Sequence, residues 1–207
     1  VHVKELVDLV LAKQEKKKVL YASIPAVGVD YLTAAMLYSD NVRVAFPDVF
    51  FCEVMGVIFD KLAPIIGAGE KLFLPPGVGH CSLLQIKTGL YALDLIPRGE
   101  VFFSCGTICD EVLKSDELLG EYFGVPVHYV NQCHDKEWDE PLKVDREIEF
   151  FAEQLKRAEK RVAEIVGFEL SDDMMHGARE FKRQYSRPMR RLLELVANSD
   201  PPPLSAT

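Results

Sequence analysis

The sequence lacks any uninterrupted apolar run approaching the roughly 18 residues of a membrane-spanning helix, which excludes such a span. It also lacks a basic surplus. Its 24 Lys+Arg stand against 32 Asp+Glu, giving a formal net charge of −8 and a pI near 5.2. A general nucleic-acid-binding role, which needs a basic face for phosphates, is excluded on that ground. No C-x-x-C pair, Ser-His-Asp arrangement, P-loop or H-E-x-x-H helix occurs. The opening Val1-His2-Val3-Lys4-Glu5 lacks the charged-then-apolar layout of a signal peptide, pointing to a cytoplasmic, reducing compartment. In that setting the five cysteines read as buried thiols, metal ligands or reactive groups rather than disulfides. What is present suits a globular chain: 207 residues, 48 % of them hydrophobic and 27 % charged, give ample core and argue against disorder.

Short apolar runs alternate with helical patterns along most of the chain. Helices are predicted over 3–16, 31–37, 49–62, 82–95 and 110–123, and strands over 19–23, 42–46, 71–74, 100–104 and 125–130. This alternation predicts an α/β fold: a three-layer, Rossmann- or flavodoxin-like domain with a parallel sheet covered on both faces, over 1–144. From Asp145 the pattern becomes helical, giving a C-terminal helical pair over 145–200. The first helix closes at Gly167, and Ser171-Asp172-Asp173 opens the second, which Pro188 is expected to kink or split. Residues 201–207, rich in proline, read as a linker, so the chain is expected to be part of something longer.

The chemistry concentrates in the cysteines. Ligands in an open parallel sheet bind beyond the carboxyl ends of the strands. Cys81, Cys105, Cys109 and Cys133 all fall after predicted strands, and Cys81 and Cys109 stand where helices begin, where free amides favour a thiolate or an anionic cluster. Cys52 lies within a helical run and reads as a small buried hydrophobe. From the residues alone the four others are open to two readings: incidental thiols, or a zinc site drawing on Cys105, Cys109 and Cys133-His134. Gly77-Val78-Gly79-His80-Cys81-Ser82 approaches a dinucleotide-binding turn, but Ser82 stands in place of the third glycine. The glycines read instead as a sharp turn that brings Cys81 close to whatever binds. His80 is a candidate proton-transfer group and Glu53 a candidate base, each weighed against an ordinary loop histidine and a solvated helical carboxylate. His128 reads as a structural residue of a buried strand.

Four segments together resemble the 2-hydroxyacyl-CoA dehydratase and benzoyl-CoA reductase family. The stretch 46–56, with Pro47-Asp48 and Met55-Gly56, is similar to its "Pro-acidic … Ala-x-Gly" segment, with Asp48 where the family carries glutamate. His80-Cys81-Ser82 opening a helix resembles the first cluster-cysteine motif, with Leu83 in place of an aromatic. Cys109-Asp110 after the strand at 100–104 resembles the second, and 124–130 the strand that follows. The closing helices and the proline-rich tail are similar to the join between the family's two related domains. The resemblance implies a [4Fe–4S] cluster held by three cysteines and fed single electrons by a separate ATP-hydrolysing activator protein. It implies an acyl-CoA substrate, a ketyl radical anion, and either loss of water or reduction of an aromatic ring. Cys81 and Cys109 would be the first two ligands, with Cys105 an alternative second; Ser82 and Asp110 would tune the cluster. The third ligand would come from an absent second domain or from Cys133. A homologous second subunit is implied as partner, and this piece alone is expected to be inactive. The competing expectation is a non-catalytic α/β module that binds a CoA ester or a partner, with incidental or zinc-binding cysteines.

Overall fold

The computed structural model describes residues 2–23, 28–72, 81–106, 109–131 and 144–199. In chain order these form α1 (His2–Ala12), β1 (Lys18–Ala22), α2 (Val29–Tyr38), β2 (Val42–Ala45), α3 (Pro47–Phe51), a π-helical turn (Cys52–Ile58), α4 (Ala63–Leu72), α5 (Ser82–Ala92), β3 (Val101–Cys105), α6 (Asp110–Phe123), β4 (Val127–Val130), α7 (Val144–Val166) and α8 (Asp172–Asn198). The described strands make one parallel sheet in the order β2-β1-β3-β4. The α/β reading of the sequence therefore holds.

The two central strands show why. Val101-Phe102-Phe103-Ser104-Cys105 is buried at every position, and β1 is buried from Val19 onward, as expected of parallel strands covered on both faces. Alternate side chains divide between two cores. Leu20, Ala22, Val101 and Phe103 pack with Tyr31 of α2, with Val162 and Val166 of α7 and with Ala178 of α8. Val19, Tyr21 and Phe102 pack with Leu9 of α1, Ile65 of α4, Ile86 and Leu90 of α5 and Leu119 of α6. Tyr21 stacks on Phe102 with ring centroids 5.8 Å apart, and its hydroxyl donates to the Pro97 carbonyl at 2.6 Å. Burial raises the Tyr21 pKa well above that of a free phenol, so the residue stays neutral.

The closing helices begin and end as their sequence indicates. Gly167 takes a φ of 73° after α7, where its amide donates to the Ala163 carbonyl, and Ser171 accepts the Met174 amide at 3.2 Å to cap α8. Pro188 does not split α8: the helix runs unbroken from Asp172 to Asn198. That half of α8 is exposed, so water can satisfy the carbonyl that the proline leaves without its helical partner.

Two further expectations are corrected. Lys71 and Leu72, expected to open a strand, instead close α4; Phe73 and Leu74 lie outside the described residues. Helical packing outweighs local strand preference here, because Ile65 and Gly69 share one face pressed against α5. Cys81 thus follows no strand among the described residues. The expected single helix over 49–62 is also interrupted. Pro47 starts a short α-helix that loosens into the π-helical turn carrying Cys52 and Glu53.

Glu159 of α7 lies beside Asp30 in the first turn of α2, which is held by Arg179 and Lys182 of α8. Burial, reinforced by the Asp30 charge, pushes the Glu159 pKa up to about 7. The folded state then holds this proton more tightly than the unfolded chain does. The associated stability is full below the usual glutamate value and is lost as pH rises towards 7. Because the side chain is partly exposed, the loss is about 1 kcal/mol after solvent screening. Glu159→Gln is therefore expected to melt about 2 °C above the parent at pH 8 and level with it at pH 4, in thermal unfolding followed by circular dichroism.

Candidate functional site

The strand order reverses between β1 and β3, since the chain runs from β1 outward to β2 and only later returns to the far side of β1. The carboxyl edge at such a reversal is where open α/β sheets bind ligands. Ser23 directly follows β1, Cys105 ends β3, and α5 and α6 bring their first residues into the same neighbourhood.

Cys81 is the N-cap residue of α5 and Cys109 that of α6, both with extended backbone and with no side-chain hydrogen bond to the helix they cap. The Cys81 amide donates to Glu111 Oε2 at 3.1 Å, and Glu111 lies in the first turn of α6, two residues beyond Cys109. The two caps are therefore joined. Cys81 is exposed and Cys109 partly so, whereas Cys105 is buried at the end of β3, opposite Val130. Ser82 and Asp110 are the first residues of their helices, and Ser82 is exposed. Glu53 is exposed on the π-helical turn, and Cys52 is partly buried against the core beneath α5. His128 is half-buried on β4, where burial and then the Arg161 charge depress its pKa, so it is neutral at pH 7. His80, Cys133 and His134 lie outside the described residues.

Thiols at helix N-caps have the donor chemistry of an iron–sulfur site, since unpaired amides stabilise the thiolate form. Among the described residues, no three His, Cys, Asp or Glu side chains are grouped closely enough to hold a metal ion by themselves.

Beneath the caps lies a buried polar cluster that the sequence reading missed. Lys87 of α5 and Asp116 of α6 are each 1 % exposed and form an ion pair. Lys87 Nζ also donates to Ser23 Oγ at 3.1 Å, and Ser23 Oγ donates to Asp116 Oδ2 at 3.1 Å. Asp48 of α3 is buried nearby and accepts the Val49 amide at 3.0 Å. Burial pushes the Asp48 pKa up; the Lys87 charge opposes this and the Asp116 charge adds to it. A usable signal did exist. Lys87 interrupts the stripe Leu83, Leu84, Leu90 and Tyr91, and Asp116 the stripe Val112, Leu119 and Phe123. A charge on an apolar helix face needs a buried partner.

The family model described as "2-hydroxyglutaryl-CoA dehydratase, D-component" matches residues 35–207, well over half of the chain. The chain belongs to this family. The match includes α3, both cysteine caps, Lys87 and Asp116, while β1 and Ser23 precede it. A search of the curated proteins finds no match. The family assigns the chain as a 2-hydroxyacyl-CoA dehydratase-type component. No helix among the described residues is long and apolar enough to cross a membrane.

Proposed function

We propose that this component carries an iron–sulfur cluster of the [4Fe–4S] type at the edge bearing Cys81 and Cys109, and acts on an acyl-CoA thioester by one-electron chemistry. The observation that carries this reading is the joining of two thiol-bearing helix caps through the Cys81 amide and Glu111. When bound, such a cluster supplies single electrons to the thioester. Cys81 and Cys109 would hold it, each at a helix N-cap whose unpaired amides favour an anionic group nearby. Cys105, buried and on the strand rather than at a cap, is the weaker candidate for second ligand. A third ligand comes from Cys133 or from a second domain. Ser82 and Asp110 adjust the potential from the first turns of the two helices, with His80 and Glu53 as candidate proton-transfer groups. In this reading residues 1–144 are the cluster-bearing unit, and 145–200 support it and lead towards a further domain. An activator protein delivers the electrons and a related subunit completes the enzyme.

The test is anaerobic reconstitution with iron and sulfide, followed by visible absorption and iron analysis. Cys81→Ser and Cys109→Ser are each expected to lower bound iron by about ten-fold or more, and Cys52→Ser to leave it unchanged. Unchanged iron in both cap variants, or preferential retention of zinc, overturns the assignment.

A further inference from the structure

The contacts between α5 and α6 have a regularity that the cluster reading alone does not require. Two ties join the helices. The outer one runs from the Cys81 amide to Glu111, and the inner one is the buried Lys87–Asp116 pair. Along α5 the ties are separated by residues 81 to 87, or roughly 9 Å at the helical rise; along α6 they are separated by residues 111 to 116, or roughly 7.5 Å. The near-equality means that α5 and α6 run side by side in the same direction, with their N-termini level. One tie would leave the helices free to pivot about it. Two ties at different depths remove both pivoting and sliding.

We propose that Glu111, with the Lys87–Asp116 pair behind it, clasps α5 to α6 and so sets the separation of the Cys81 and Cys109 thiols. This rests on the cluster reading for its purpose but not for its geometry. The two ties differ in character. The inner one is fully buried and also gathers Ser23 from the end of β1, so the helix pair is referenced to the sheet. The outer one is at the surface, where a hydrogen bond to a carboxylate contributes little to global stability. Its effect is geometric: it fixes the first turn of α6 against the residue whose thiol is to be placed. Glu111 is thus a positioning residue, and its removal shifts thiol geometry without unfolding the chain.

The experiment measures thiol proximity in the reduced, metal-free chain with an ethylene-bridged bis-maleimide, using peptide mapping to identify the linked cysteines. The parent is expected to give the Cys81–Cys109 link. In Glu111→Ala the ring-closing step should slow by about ten-fold relative to the first attachment, with melting temperature and far-ultraviolet circular dichroism unchanged. Glu111→Gln, which keeps an acceptor oxygen for the Cys81 amide, should recover most of the rate. The double variant Lys87→Met/Asp116→Leu, which replaces the inner pair by apolar side chains, should also slow closure while remaining folded. Closure at the parental rate in both Glu111→Ala and the folded double variant overturns the clasp, as does a parent that never links Cys81 to Cys109. Iron–sulfide reconstitution of the same proteins separates the two ideas. Slowed closure in the variants, with iron uptake that Cys81→Ser and Cys109→Ser do not lower, leaves the clasp standing and removes the cluster. Iron uptake with unaltered closure does the reverse.

Discussion

Gly89→Ala is expected to destabilise the fold by about 3 kcal/mol, although alanine is the better helix former by roughly 1 kcal/mol. The reason lies in how closely α4 and α5 approach. A β-carbon at Gly89 would lie 1.9 Å from the Ile65 carbonyl oxygen and 2.7 Å from its carbon, both backbone atoms that cannot swing aside. Gly69 faces the same seam from α4, where an added carbon would meet the Gln85 carbonyl oxygen at 2.4 Å. Relief requires the helices to separate, opening the core around Ile65, Ile86 and Leu90. Gly67 is the internal control. It lies in the same helix, nothing stands within 4 Å of its added carbon, and Gly67→Ala should therefore gain roughly 0.5–1 kcal/mol. Urea unfolding of the two variants checks the claim through their opposite signs. A Gly89→Ala chain as stable as its parent would mean that the seam is looser than described.

Lys87→Met is expected to lose about 3–5 kcal/mol, because breaking a buried ion pair from one side leaves the other charge uncompensated. Asp116 would keep its carboxylate inside the fold with, among the described residues, the Ser23 hydroxyl to answer it, and Asp48 would lose the Lys87 charge that acts on it. Against the usual 5–15 kcal/mol of total stability this is a large fraction, corresponding to a melting point lower by about 10 °C. Replacing both partners, as in Lys87→Met/Asp116→Leu, should recover most of the loss, since an apolar pair carries no desolvation cost. The deficit of the single variant should also depend on pH. Burial already raises the Asp48 pKa, and Lys87 is what opposes that rise. Without it the folded state holds the Asp48 proton more strongly still, so stability is retained at low pH and lost as pH rises. Thermal unfolding at pH 5 and pH 8 should show the wider gap at pH 8. Equal gaps, or a single variant no weaker than the double, would contradict an uncompensated buried charge.

Much of the layering was legible because it depends on local pattern. The unbroken apolar runs at 19–22 and 101–103 announce strands covered on both faces, and Ser171 before Asp172-Asp173 announces a helix start. Lys71 and Leu72 were misread because strand preference over a few residues is weak against a helix pair whose glycines allow close approach. The π-helical turn at 52–58 left no readable mark. In the candidate site, the cap positions of Cys81 and Cys109 follow from where the helices begin, and these are local signals. The polar cluster below them was not assembled in advance. Ser23, Asp48, Lys87 and Asp116 come from separate elements, and periodicity within one element does not report what faces it across a sheet edge.

The strand order also has a consequence for assembly. Lys18 pairs with Val42, and Phe102 with Val127, so each outer pairing closes a short loop. The central seam joins Leu20 to Val101, a much longer closure with a correspondingly greater loss of chain entropy. Two half-sheets made of near neighbours are thus joined along one distant seam. Ser23 lies at the end of one half, while Lys87 and Asp116 flank the strand that begins the other. Ser23 reaches Lys87 and Asp116 only when that seam has closed, so in a chain whose halves have not met the charge pair lacks the hydroxyl that bridges it. That bridge marks the completed fold.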